Sequence, residues 1–320
     1  IESDSSHTTN LVLPHIFAGT LTGSGGFSKW THGEMVLANT NDFTGEVNVL
    51  RANDRTRGTR GGLRLQDNGT MSGVSAISLQ RDGELFIDNS GLTLSNRIND
   101  AAPITTWGRS QIEFVGNASS DTYERLGITT VTNGRLAIEF DSDDASPRAH
   151  TLEFTSLNRA RGTVVGFHAS DVLQGAFATN GPGSITLNLL DGGVSLQQIG
   201  SGGGVGATNR SVVVGVFGGD GVDRGVDKAT RTPDRSDEFM TVDGGRLRTL
   251  RADEMVYLGG GSTNPLLISQ ASASADANVN INFESEFLEF SRHSITNALN
   301  QTITKRVVGD ATFNSIRFGI

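Results

Sequence analysis

Clusters of acidic residues are the side chains of this sequence best suited to binding a cation. Residues 218–223 read Gly-Gly-Asp-Gly-Val-Asp, the start of a calcium-binding nonapeptide in which Asp220, Asp223 and Asp227 would supply carboxylate oxygens. The motif occurs once, although that mechanism needs tandem copies, and Gly225 stands where a large apolar residue belongs. We therefore expect a solvated loop here, with calcium binding as the less favoured alternative.

A second acidic group has side chains that could serve sugar chemistry. Asp141, Asp143 and Asp144 lie close together and near Pro147. Polysaccharide lyases built on β-helices use carboxylates with calcium, and glycosidases need two carboxylates at a fixed separation. No feature of the sequence places a partner opposite these residues, and the nearby proline is typical of a loop. We expect a surface turn.

The histidine and glycine patterns indicate no further site. None of the six histidines stands in a ligand spacing such as His-x-His; they are His7, His15, His32, His150, His168 and His293. The glycine-rich residues 202–206 lack the Gly-Lys-Ser/Thr that completes a phosphate-binding loop, so we expect a chain corner. We predict no catalytic, cofactor-binding or metal-binding residue, no cofactor and no enzymatic activity.

The composition favours many short strands and excludes several classes of protein. Glycine supplies 41 of 320 residues and cysteine is absent, which excludes a disulfide scaffold, a thiolate metal site and a cysteine nucleophile. The formal charge of −9 argues against a general nucleic-acid binder. No apolar run approaches the ~18 residues of a membrane-spanning helix. The excess of 16 Phe over 2 Trp and 2 Tyr predicts aromatic side chains inside a core and disfavours an aromatic sugar-binding platform.

Short alternating apolar runs that follow a glycine recur along the chain and predict a repeat fold. They begin at Gly62, Gly83, Gly134, Gly193 and Gly245, at intervals of 21, 51, 59 and 52 residues. An interval near 21 residues is typical of one β-solenoid coil, and those in the fifties of two coils and a loop. A propeller or sandwich would need more tight hairpins than the sequence offers. We expect the strands at residues 63–65, 85–87, 136–138 and 247–250 to stack in parallel ladders.

Residues 25–49 carry a likeness to a known repeat. They read GGFSKWTHGEMVL and then ANTNDFTGEVNV. This resembles the autotransporter-associated β-strand repeat of large bacterial surface proteins, with departures at Thr31 and Glu34. The matching positions are Phe27, Lys29, Gly33, Met35, Leu37, Asn41, Phe43, Thr44, Gly45, Val47 and Val49. The resemblance implies a right-handed parallel β-helix, export to the cell exterior, and work as a stalk, adhesin or fibre.

Three residues of this stretch also have a physical role to play in a coil. Gly33 and Gly45 fall where a coil turns a corner, and glycine takes a positive φ there without strain. Asn41 is placed to hydrogen-bond neighbouring backbone at a turn. Met35 and Leu37 should face inward on one strand, and Val47 and Val49 on the next.

The complete prediction is an all-β, right-handed parallel β-helix (β-solenoid) with loop insertions, forming a single domain over residues 1–320. We expect an extracellular structural or adhesive protein of a bacterial cell surface without catalytic activity. The alternative is a β-helix polysaccharide lyase or hydrolase. A cell-surface or glycan receptor is a further expected partner, and nucleic acid is not.

Both ends of the chain carry apolar strand-like runs that predict self-association. Residues 313–320 show no proline or charge cluster to protect an open edge, and the apolar residues 11–13 and 16–17 are likewise uncapped. We expect copies of the chain, or adjoining repeats, to continue the β-helix from these ends. We also expect the chain to be a piece of a longer or processed polypeptide.

Overall fold

The computed structural model describes most of the chain between residues 14 and 319. The described residues are 14–30, 33–50, 53–54, 59–60, 62–141, 148–169, 184–200, 202–219, 238–254, 256–258, 277–282, 287–291, 294–297, 302–303 and 313–319. The chain divides into two compact units. The first comprises Ile1–Leu196, Gly215–Asp237 and Gly244–Arg248, and the second Gln197–Val214, Glu238–Asp243 and Thr249–Ile320. The prediction of one domain over the whole chain stays a prediction.

Strands account for nearly all regular structure among the described residues. The one helical element among them is the short 3-10 turn Ala252–Glu254. The strands are β1 (His15–Phe17), β2 (Phe27–Lys29), β3 (Met35–Leu37), β4 (Val47–Leu50), β5 (Asn53–Asp54), β6 (Thr59–Arg60), β7 (Leu63–Leu65), β8 (Ile77–Gln80), β9 (Glu84–Asp88), β10 (Ile104–Val115), β11 (Thr122–Asp141), β12 (His150–Arg159), β13 (Val164–Ala169), β14 (Ile185–Leu189), β15 (Gln198–Ile199), β16 (Val212–Val213), β17 (Val216–Gly219), β18 (Glu238–Asp243), β19 (Arg246–Thr249), β20 (Val256–Leu258), β21 (Ala277–Asn282), β22 (Phe287–Ser291), β23 (Ser294–Asn297), β24 (Thr302–Ile303) and β25 (Phe313–Gly319).

The first unit is a parallel β-helix whose first face is a continuous ladder. Its strands stack in the order β1, β3, β7, β9, β10, β11, β13 and β17, and every pairing is parallel. The step from Leu63 to its partner Leu85 is 22 residues, and the step from Leu136 to Val165 is 29, which is the length of one coil. The predicted all-β solenoid is confirmed, as is the parallel stacking of the strands around Leu63, Leu85 and Leu136.

Two further faces complete each coil. On the second face, the beginning of β11 pairs with the beginning of β12, which pairs with β14. On the third face, β2, β4, β8, the beginning of β10, the middle of β11 and the end of β12 follow one another. Strands β10 and β11 are long because β10 bends from the third face into the first, and β11 runs through all three faces.

The core of the first unit comes mainly from inward side chains that alternate with outward ones, as in β4, β7 and β8, whereas β3 and β9 are buried along their whole length. Met35, Leu37, Val47 and Val49 are all buried, as predicted. Burying an aliphatic side chain of this size contributes roughly 1.5–3 kcal/mol, so each coil adds its own increment to stability. Large aromatic side chains fill the interior, namely Phe43, Phe114, Phe140, Phe154 and Phe167.

The prediction for residues 247–250 is wrong in direction. Strand β19 pairs antiparallel with β14, with Leu247 opposite Leu187 and Arg246 opposite Asn188. Gly244 and Gly245, at φ of 57° and 83°, reverse the chain just before β19, so the strand enters the sheet from the opposite side. The run at Gly193 is not a strand either: residues 190–195 form turns, and Val194 is 86% exposed.

The second unit contains smaller sheets. Strands β20, β21 and β25 form a parallel sheet in which Val279 pairs with Ile316 and Ile281 with Phe318. Strands β22, β23 and β24 are antiparallel, as are β15 and β16. Residues 313–319, which we predicted as an open strand, are thus a strand with a partner on one edge.

Candidate functional site

Most of the acidic residues predicted as candidates lie outside the described residues. These are Asp143, Asp144, Asp220, Asp223 and Asp227, together with His7, His32 and His293. Asp141 is the last residue of β11 and its carbonyl accepts a hydrogen bond from the Gly116 N–H at 2.8 Å. Within the part of the chain that the structure describes, no three His, Cys, Asp or Glu side chains come together to hold a metal ion.

The glycine-rich residues 202–206 form a corner whose amides bond to the chain itself. Gly202 N–H donates to Ser211 Oγ at 3.0 Å, and Gly206 N–H donates to Glu254 Oε1 at 3.1 Å. Gly203 N–H donates to the Asn209 carbonyl at 3.4 Å. Because a phosphate loop needs its amides free for the ligand, this corner does not have that geometry.

His150 is a core residue of the second face. Its Nδ1 lies 2.6 Å from Thr122 Oγ1, and its ring packs edge-on against Phe114. Burial lowers the pKa of His150 to about 4, because an imidazolium in this apolar setting would lose its hydration. A neutral, enclosed imidazole of this kind stabilises packing.

Arg97 and Glu124 form a second buried polar group. Arg97 donates to the carbonyls of Gly69 and Leu92 at 2.8 and 2.7 Å, and both Glu124 oxygens accept backbone N–H groups of residues 97 and 98. Burial raises the pKa of Glu124 to about 8, against the opposing effects of these N–H donors and of Arg97. These two side chains connect consecutive coils of the β-helix, and both are fully buried.

The outer side of the first face carries a partly buried charge network. Arg64 donates to Glu34 at 2.9 Å and to Asp88 at 2.6 Å, and its guanidinium lies 4.3 Å from the centre of the Phe86 ring. Burial by itself would raise the pKa of Asp88, but hydrogen bonds from Ser90 and the Arg64 charge outweigh it and lower the pKa. This network joins three consecutive coils by their side chains.

Further along the same face, the parallel register lines up two carboxylates and an imidazole. Glu113 pairs with Glu139, and Glu139 pairs with His168. Arg135 Nη2 lies 3.1 Å from His168 Nε2. Paired residues on adjacent strands are about 4.8 Å apart. This column is the arrangement closest to an acid–base pair among the described residues, and sequence spacing did not show it because its members lie on different coils.

The outer side of the third face carries both tryptophans of the chain. Trp30 is 54% exposed and Trp107 is 38% exposed, whereas the large phenylalanines fill the interior. The guanidinium of Arg81 lies 5.2 Å from the Trp107 ring centre. The phenylalanine excess correctly indicated an aromatic core, but it did not reveal that the two tryptophans would lie together on one outer face. Alternation along the strands could have revealed their outward position. Phe27 and Ile104 face inward, and a residue three positions later along an extended chain faces outward.

Comparison with known proteins gives no matching family, no matching curated protein and no matching solved structure. In the part of the chain that the structure describes, no helix is long and apolar enough to cross a membrane. The likeness to autotransporter-associated repeats stays a prediction from the sequence, strongest over residues 25–49.

Proposed function

We propose that this chain is a structural or adhesive protein of a bacterial cell surface, working as a stalk, fibre or filament subunit without catalysis. The observation that carries the proposal is the position of β1, which is the outermost strand of the first face among the described residues. A scaffold that continues from copy to copy needs a strand edge that another copy can pair with, and β1 has such an edge within the described part of the chain.

The hydrogen bonds of β1 indicate which of its edges faces away from β3. His15 N–H donates to the Glu34 carbonyl at 2.8 Å, and the Phe17 carbonyl accepts from Ala38 N–H at 3.0 Å, so both residues bond towards β3. The N–H and C=O of Ile16 point the opposite way, where no strand of the described chain pairs with them. Ile16 is also 58% exposed. This edge fits strand addition by another copy.

Sedimentation velocity and electron microscopy over a range of concentrations test the self-association. We expect oligomers or filaments that grow with concentration. Ile16→Pro removes the outward N–H donor and should shift the chain towards monomer, while Ile16→Ala keeps the donor and should still associate. A monomer at every concentration would contradict the filament role, and antibody labelling of intact source cells tests the surface location separately.

The Glu113, Glu139 and His168 column favours a second candidate function, a glycan hydrolase. Its strands are about 4.8 Å apart, so the paired side chains of Glu113 and Glu139 can bring their carboxyls within the roughly 5–5.5 Å that a retaining glycosidase uses. One carboxylate would attack the anomeric carbon while the other protonated the leaving oxygen. Release of reducing ends from a polysaccharide, lost in Glu113→Gln and Glu139→Gln but kept in Glu153→Gln, would establish this alternative; no release favours the non-catalytic role.

A further inference from the structure

The two exposed tryptophans stand at the ends of one column on the third face. The register aligns Leu50 with Gln80 and Gln80 with Trp107, and Trp30 follows Lys29 as Leu50 follows Val49. Trp30 and Trp107 are therefore three coils apart, or about 14 Å along the stack. Leu50 and Gln80 lie between them and are partly exposed.

A second outward column runs beside the first and is made of small polar side chains. Paired outward positions along the ladder share hydroxyl or amide groups; they are Ser28, Asn48, Ser78, Thr105, Thr130 and Asn158. Gln80 Nε2 donates to Ser78 Oγ at 2.7 Å, which connects the two columns. The third face thus presents two aromatic rings with a neutral row of hydrogen-bonding groups at their side.

The absence of charge from these two columns separates the third face from its neighbours. The first face carries Arg64 between Glu34 and Asp88, and the second face carries Arg125 paired with Glu153 at 2.9 Å. None of the ten side chains in the two columns is charged, although 19% of the chain is. The charged groups Arg81, which lies against the Trp107 ring, Glu46 and the Arg109–Asp82 pair stand at the margins. The ten side chains of the columns themselves offer a ligand hydrogen bonds and aromatic faces but no charge.

We propose that the third face binds a neutral glycan chain laid along the stack, with pyranose rings on Trp30 and Trp107. The indole faces offer apolar area to the C–H faces of sugar rings, and the amides and hydroxyls offer bonds to sugar hydroxyls. Arg81 packs on Trp107 and holds its ring in place. The proposal rests on the surface role proposed above, because it names what the surface adheres to.

Tryptophan fluorescence tests the proposal directly, since Trp30 and Trp107 are the only two tryptophans of the chain. The full chain is titrated with cellohexaose, chitohexaose, mannohexaose and maltohexaose as neutral probes, and with hexagalacturonate as an anionic probe. We expect a saturable fluorescence change with at least one neutral probe and none with the anionic one. Calorimetry gives the affinity of variants that have lost a tryptophan.

Each tryptophan should matter, and an exposed apolar residue elsewhere should not. Trp30→Ala and Trp107→Ala should each weaken binding about tenfold or more, Trp107→Phe should weaken it less because an aromatic face remains, and Leu190→Ala should leave it unchanged. Leu190 is the matched control because it is 52% exposed and lies outside these columns. Far-ultraviolet circular dichroism checks that the variants are folded.

Three outcomes overturn the proposal: no saturable change with any neutral probe, binding of the anionic probe alone, or binding that survives in the Trp30→Ala/Trp107→Ala double variant. Self-association is measured separately by sedimentation. If the chain forms filaments but binds no neutral probe, the structural role stands and the glycan site is refuted. If the chain is a monomer that binds a neutral probe, the glycan site stands and the filament role is refuted.

Discussion

At the scale of the residue, individual buried polar side chains determine how the stability of this solenoid responds to pH and to substitution. The buried polar side chains of the described core include His150, Asn41, Arg97 and Glu124, and each has hydrogen-bond partners within the chain. Such groups contribute little net stability while their bonds are intact, but losing a partner costs the full desolvation of what remains. Their substitution therefore gives large and specific effects.

His150 predicts a loss of stability in mild acid. The native state keeps this imidazole neutral down to its pKa of about 4, while the unfolded chain takes up the proton near pH 6.5. Between these values the unfolded state binds more protons, so the free energy of unfolding falls as the pH is lowered, by about 3 kcal/mol at most for this residue. Urea unfolding from pH 7 to 4 should show a shallower fall in His150→Gln. Equal slopes in the wild-type and His150→Gln proteins would contradict the prediction.

Asn41 confirms the expected turn role, because it joins three consecutive coils. Its Oδ1 accepts from Leu21 N–H at 2.8 Å, and its Nδ2 donates to the carbonyls of Asn39 and Thr70 at 2.6 and 3.0 Å. Asn41→Ala leaves a buried donor and acceptors without partners and should lower the free energy of unfolding by about 2–4 kcal/mol in urea. Asn48→Ala, on the outer third face, should change it by no more than about 0.5 kcal/mol. Similar effects of the two changes would refute this role of Asn41.

At the scale of the element, glycines at the corners of the β-helix allow the backbones of consecutive coils to approach each other closely. Gly33 has the expected positive φ of 92°. Gly45 is not among the glycines of positive φ, which corrects its predicted role: an added Cβ would lie 2.1 Å from the Gly26 nitrogen of the coil below. Glycine is needed at this corner because two backbones approach each other there.

The contact at Gly45 predicts a steric cost. Gly45→Ala should lower the free energy of unfolding by about 1–3 kcal/mol, since the clash is with backbone and no side chain can move aside. Gly19→Ala is the control, because an added Cβ there meets nothing within 4 Å. Thermal unfolding of both variants measures the difference, and a Gly45→Ala protein as stable as Gly19→Ala would disprove the close approach.

The strands were readable from sequence, but their partners were readable only in part. Alternation is a local property, so Leu63–Leu65 could be recognised with its inward leucines. Pairing is not local: β19 meets β14 some sixty residues away, and the choice between parallel and antiparallel depends on the turn at Gly244. For the same reason the sequence did not reveal the proposed glycan site on the third face. Trp30 and Trp107 fall in one column only when the strand register is followed over three coils.

At the scale of the whole molecule, stability should not depend on metal ions. The described residues bring no three metal-binding side chains together, and the nonapeptide-like motif at Asp220 and Asp223 occurs once. We expect EDTA to shift the midpoint of thermal unfolding by only a few degrees, as measured by calorimetry. A large drop that calcium restores and magnesium does not would show that Asp220, Asp223 and Asp227 hold calcium.

The ladder of the first face also determines how the solenoid would respond to a pulling force. Its interstrand hydrogen bonds run parallel to the axis of the stack. Tension along that axis therefore acts on the hydrogen bonds of one strand pair at a time, and coils would unfold one after another from an end. A coil of 22 to 29 residues, as between Leu63 and Leu85 or between Leu136 and Val165, releases roughly 70–100 Å of extended chain. A surface stalk built this way would lengthen in small steps under flow, absorbing the load before its attachment broke.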